Sequence, residues 1–99
     1  MDANGYNPSI MQRDLTRCYL CGRSCEKLDR HEPFNGAYRQ KSKKWGMWVM
    51  LCHWTCHQNG VHAHGDMANA LRREAQQRCM DYYGLTTDEF IQEFGKSFL

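Results

Sequence analysis

The chain carries one sustained apolar run, Trp45 to Cys52 (WGMWVMLC). It is aromatic-rich and too short for a typical helix, so it reads as a strand. Upstream, Leu28 to Phe34 (LDRHEPF) is short and mixed, and Pro33 ends it as an edge strand. Asn35-Gly36 is a turn signal, and Ala37 to Lys44 (AYRQKSKK) reads as a basic loop. The two strands would then pair as an antiparallel hairpin with a long connection. Downstream of the breakers Asn59-Gly60 and Gly65, the pattern changes period. Met67, Leu71, Ala75, Cys79 and Tyr82 recur at spacings of three and four and predict an amphipathic helix, with Asp66 as N-cap and Gly84 as its stop. Thr86 and Glu89 have capping-box spacing, so Phe90, Ile91 and Phe94 form the apolar face of a short last helix ended by Gly95. Residues 1–15 lack periodicity and read as a flexible arm, which leaves residues 16–99 as one α+β domain.

At 99 residues, such a domain buries a small core and needs a staple. Six Cys and five His are the candidates. Met1 to Leu15 holds no apolar run of signal-peptide length, and no stretch approaches a membrane span, so a cytoplasmic protein with paired Cys is expected to bind metal rather than form disulfides. Thr16 to Gly22 (TRCYLCG) has the form of a zinc knuckle. Cys18 and Cys21 make one pair, and Cys52 and Cys56 a second. Four thiolates fill a tetrahedral Zn²⁺ and leave no open position, so this site would be structural. The second pair is one residue wider than the usual knuckle, which keeps Cys25 and His53 as substitutes. Cys25 and Cys79 are otherwise read as small buried side chains.

Net charge is only +2, but it is uneven: Arg13 to Lys44 holds nine basic and four acidic residues, and Asp66 to Leu99 six acidic and four basic. Arg39, Lys41, Lys43 and Lys44 are the candidate phosphate contacts, because neutralised phosphates release counterions.

The order Cys-x-x-Cys-Gly, a His on the first strand, an apolar second strand ending Leu-Cys, then Cys56-His57 before a helix, resembles the HNH (ββα-metal) endonucleases. The likeness runs through residues 18–62, and the final FGKSFL also resembles small HNH proteins of phages and their bacterial hosts. The resemblance implies a ββα-metal fold with a zinc knuckle, a two-stranded antiparallel hairpin and two C-terminal helices. It implies a DNA endonuclease in a bacterial or phage-infected cytoplasm, working alone or within a larger phage or host assembly, with no membrane partner. Beside the structural zinc, a catalytic Mg²⁺ or other divalent ion would bridge the scissile phosphate. His57 falls on the metal-binding His, and His62 would complete that ion's shell. The paired position on the first strand reads His31-Glu32, where the family shows Asp-His or His-His. Either His31 is the base with Glu32 or Asp29 near the ion, or His31 is a ligand and Glu32 the base; imidazole is the better-matched proton acceptor near neutral pH. Met47 stands where the family carries the Asn that orients the base, so a backbone carbonyl or Asn35 must do that work, or activity is weak or absent. The rival reading is therefore a catalytically inactive HNH-like zinc module that binds DNA or a host protein. His53 and His64 are expected to pack or face solvent.

Overall fold

In the computed structural model, which describes Met1–Leu99, the chain is an α+β domain built around a two-stranded antiparallel sheet. Strand β1 is Leu28–His31 and β2 is Val49–Cys52. Their register sets Leu28 opposite Cys52, Asp29 opposite Leu51, Arg30 opposite Met50 and His31 opposite Val49. Side chains alternate across a strand, so Asp29 and His31 share one face of β1. Arg30 goes to the other.

The basic connection is not a loop. A 3₁₀ turn, Gly36–Tyr38, leads into helix α1, Arg39–Trp45. Arg, Gln and Lys are good helix formers; the charge of this segment had suggested a loop, whereas Ser42 and Trp45, three apart, turn inward. Ser42 is fully buried and its hydroxyl donates to the Phe34 carbonyl at 2.5 Å. Gly46 ends α1 with φ 75°, which shortens the second strand to its last four residues. A Cβ at Gly46 would lie 2.2 Å from the Pro8 carbonyl oxygen, so the position also needs the absence of a side chain.

Residues 7–12 run beside β2 and the residue before it. The Trp48 indole N–H donates to the Asn7 carbonyl (2.8 Å), the Ser9 hydroxyl to the Trp48 carbonyl (2.7 Å), and the Met50 amide to the Gln12 side chain (2.9 Å). Tyr6 and Met11 are buried there. Nothing in a non-periodic segment announces such contacts, because they depend on partners some 40 residues away.

After β2 the chain winds as a π-helix, His53–Val61. Helix α2 then covers Gly65–Tyr83 and α3 covers Thr87–Phe94. On α2, Leu71, Ala75 and Cys79 are buried as their spacing predicts, but Met67 and Tyr82 are exposed. Gln76 is buried with them because it holds the C-terminus: its amide donates to Ser97 Oγ (2.9 Å) and its oxygen accepts from the Phe98 amide (2.7 Å). His64, not Asp66, is the N-cap of α2, and Asp66 lies in the first turn, where its charge suits the helix dipole. The Thr86–Glu89 capping box is present in both directions. Phe90 and Phe94 pack with Phe34 and Phe98, ring centroids 4.9–5.5 Å apart. Met47, Val49, Leu51 and Leu71 complete the core. No helix is long and apolar enough to cross a membrane.

Candidate metal centre

Three groups of potential ligands surround β2 and the π-helix: four cysteines, the trio His31, His57 and His62, and the trio Asp29, His53 and His57, which shares His57 with the second. The first joins the knuckle to the end of β2. The sulfurs of Cys18, Cys21, Cys52 and Cys56 all lie within 4.8 Å of one another, and Cys21 Sγ and Cys52 Sγ are 3.5 Å apart. Tetrahedral Zn–S bonds of about 2.3 Å place sulfurs about 3.8 Å apart, so this group could bind zinc with little movement. The Cys-x-x-x-Cys spacing of the second pair is accommodated because Cys52 ends a strand while Cys56 sits one turn into the π-helix. The Cys21 amide points at Cys18 Sγ (3.5 Å), and Gly22 takes the positive φ of 74° that closes the knuckle. Hydrogen bonds from the Arg23 backbone and side chain push the Cys21 thiol down to about 7, towards thiolate. Burial pushes Cys56 up to about 11.

A fifth sulfur is close by. Cys25 is in bonding contact with Cys52, their Cα atoms 5.6 Å apart, so its side chain is not simply packed. A Cys25–Cys52 disulfide and a zinc-bound Cys52 thiolate are mutually exclusive states of one sulfur. Cys79 lies apart, wholly buried on α2, and burial pushes its thiol up to about 12.

The second cluster is made of imidazoles. Ligand atoms of His31, His57 and His62 lie within 4.8 Å of one another, and His57 Nε2 and His62 Nε2 are 2.9 Å apart. The π winding brings the last two together. In an α-helix, residues five apart point about 140° away from each other; a π turn, hydrogen-bonded from i to i+5, stacks them. The His62 amide donates to the His57 carbonyl at 3.1 Å in that way. His31 reaches the pair from β1, its ring centroid 5.2 Å from His57 and 5.7 Å from His62. Burial, reinforced by the charges of His57, His62 and Arg72, pushes His31 down to about 4, so it is neutral with a lone pair free at neutral pH.

Asp29 stands behind this group. Its Oδ2 accepts from His57 Nδ1 at 2.8 Å and also from His53 Nδ1. An ionised carboxylate can only accept, so Nδ1 of His57 donates to it, and Nε2 is the nitrogen turned towards His62. Burial alone would raise the Asp29 carboxyl, but the hydrogen bonds from His57 and His53 hold it below the usual value. His53 therefore neither packs in the core nor faces solvent. It is a partner of Asp29, and its only sequence signal is the four-residue spacing from His57.

Glu32 lies elsewhere. It is buried, one strand position beyond His31, and its Oε1 accepts from Tyr6 OH (2.7 Å) and Arg39 Nε (3.0 Å). It is in none of the groups able to hold an ion. Met47 is a fully buried core residue, and Asn35 caps no helix with its side chain. The four basic residues of the connection divide. Lys41 is bound by Glu93, through its carboxylate (2.6 Å) and carbonyl (3.0 Å), and Lys44 is exposed. Arg39 and Lys43 converge on Tyr6 and Arg30, on the sheet face away from the histidines. His64 is exposed at the start of α2. Comparison of the chain with family models, curated proteins and solved structures finds no match.

Proposed function

We propose that this chain is a metal-dependent DNA endonuclease of HNH type, with a four-thiolate zinc as a structural staple and a separate divalent ion held by His31, His57 and His62. The observation that carries this reading is the convergence of three imidazoles with a carboxylate behind one of them. A three-nitrogen set with one face open is the ligand pattern of catalytic rather than structural sites; His62 is the exposed member, so substrate would enter from its side.

The donor set also selects the ion. Imidazoles suit Zn²⁺, Ni²⁺ or Co²⁺, whereas Mg²⁺ prefers oxygen ligands. A borderline transition ion is therefore the better cofactor here than Mg²⁺. When bound, such an ion supplies Lewis-acid polarisation of a phosphodiester and makes water a better nucleophile. The chain's own part is to hold three imidazole nitrogens in place. Asp29 fixes the His57 tautomer, and His53 fixes Asp29. With its nitrogen turned to the same point, His31 serves as the third ligand rather than as a free base. A side chain at about 4 is also a poor match for proton abstraction at neutral pH. Glu32, committed to Tyr6 and Arg39, is not the base.

A second reading is favoured by that same absence of a base: a zinc-stapled module of the same ancestry that binds DNA or a protein without cutting. Plasmid nicking separates the two. Activity with Mn²⁺, Co²⁺ or Ni²⁺, lost in His57→Ala while the protein keeps its thiolate-bound zinc, supports the nuclease. Equal traces of cleavage by wild type and His57→Ala leave only the binding module.

A further inference from the structure

We propose that the pocket between the N-terminal segment, β1 and α1 is a binding site for a phosphate group. It has a volume of about 390 Å³ and is lined by Asn4, Tyr6, Arg30, Arg39 and Lys43. Three cations, an amide and a phenol line it, with no acid among them, so its chemistry selects an oxyanion and rejects a cation or an apolar ligand.

The two guanidiniums are aimed by carboxylate partners. The Arg30 guanidinium lies over the Tyr6 ring (4.0 Å) and the Trp48 ring (4.4 Å), and one of its nitrogens bonds Asp2 at 3.1 Å. Arg39 is aimed by its Nε bond to buried Glu32, which also accepts a hydrogen bond from the Tyr6 hydroxyl. Lys43 Nζ sits 4.7 Å from the Tyr6 ring centroid. Each guanidinium spends one donor on a carboxylate and keeps the others for a ligand. Buried Glu32 thus acts as the orienting group of a cationic pocket, which accounts for a carboxylate beside His31 in sequence but not in space. A planar fork from each Arg with a point charge from Lys matches tetrahedral phosphate oxygens.

The site lies on the sheet face opposite the histidines and needs no metal, so it stands or falls apart from the nuclease reading. The test is nitrogen-15 NMR of the zinc-loaded protein titrated with inorganic phosphate at constant ionic strength, against a chloride control. Saturable shifts at Tyr6, Arg30 and Arg39 are expected at millimolar phosphate or below. Lys43→Gln should weaken them roughly tenfold, the size of one lost charged hydrogen bond, and Lys44→Gln should not. A short DNA strand that moves the same signals more tightly than inorganic phosphate identifies the ligand as nucleic-acid backbone; equal or weaker binding identifies a free phosphate compound. Retention of the shifts in His57→Ala keeps the two sites distinct. Shifts no larger than those with chloride, or an unchanged affinity in Lys43→Gln, would overturn the proposal.

Discussion

Asp29 is the residue on which the histidine cluster turns. One of its carboxylate oxygens serves two imidazoles, and it sits half-buried opposite Leu51 in the sheet. Asp29→Asn keeps the shape but can no longer accept both protons with full charge, so affinity for Co²⁺ or Zn²⁺ at the histidines should fall about 10- to 100-fold. Competition with a chromophoric chelator measures this, and the thiolate site should be unaffected. His31 gives a separate, metal-free signature. Its pKa is near 4 when folded and about 6.5 when unfolded. Between those values the unfolded chain takes up a proton that the folded chain refuses, so stability is full above about 6.5 and is lost as pH falls towards 4. That loss is on the order of 3 kcal/mol. Urea midpoints of protein without an ion at the histidines should show it, and His31→Phe should lack that part of the slope. The adjacency of His31 and Glu32 suggested a working pair, but strand alternation sends neighbours to opposite faces, so Asp29, two residues earlier, shares the face of His31. That much was legible from period alone.

At the scale of elements, the knuckle, the Gly84 stop and the Thr86–Glu89 box were legible because each is set by local chemistry, and the hairpin was legible from its two short strand-like runs. The π-helix was not. Its residues carry no pattern that distinguishes i+5 from i+4 bonding, and the winding is fixed by its anchors: Cys56 in the sulfur cluster, buried Val61, and Gly60, where a Cβ would press to 3.1 Å from the Thr55 carbonyl. Helix α1 was hidden for a different reason, since its charge drew attention away from good helix propensity. Its end is the more sensitive point. Gly46→Ala combines a left-handed backbone with a collision against Pro8, and the Gly46 carbonyl also accepts the Ile10 amide at 2.9 Å. The substitution should destabilise the fold by more than about 2 kcal/mol and free the N-terminal segment. Chemical denaturation measures the first effect and protease sensitivity before Met11 the second.

For the whole molecule, a small aromatic core and a sulfur cluster share the work of stability. The cluster ties the knuckle, the end of β2 and the start of the π-helix to one point. Structural zinc contributes on the order of 10–16 kcal/mol in finger peptides, which matches the entire stability of most domains. Cys25 lies outside the four-sulfur group. Cys25→Ser should therefore keep its zinc and still unfold when a strong chelator removes it, as followed by circular dichroism; loss of zinc in that variant would put Cys25 in the ligand set. Cys52 precedes the π-helix and Cys56 lies in it, so the segment that carries His57 and His62 starts from the sulfur cluster.

The existence of two separate ion sites is tested most directly by counting bound metal. Native mass spectrometry of protein loaded with zinc and freed of excess should find two ions on the wild type and one on His57→Ala, the remaining ion being the thiolate-bound one. A single ion on both proteins would contradict the account, because the three imidazoles would then hold nothing.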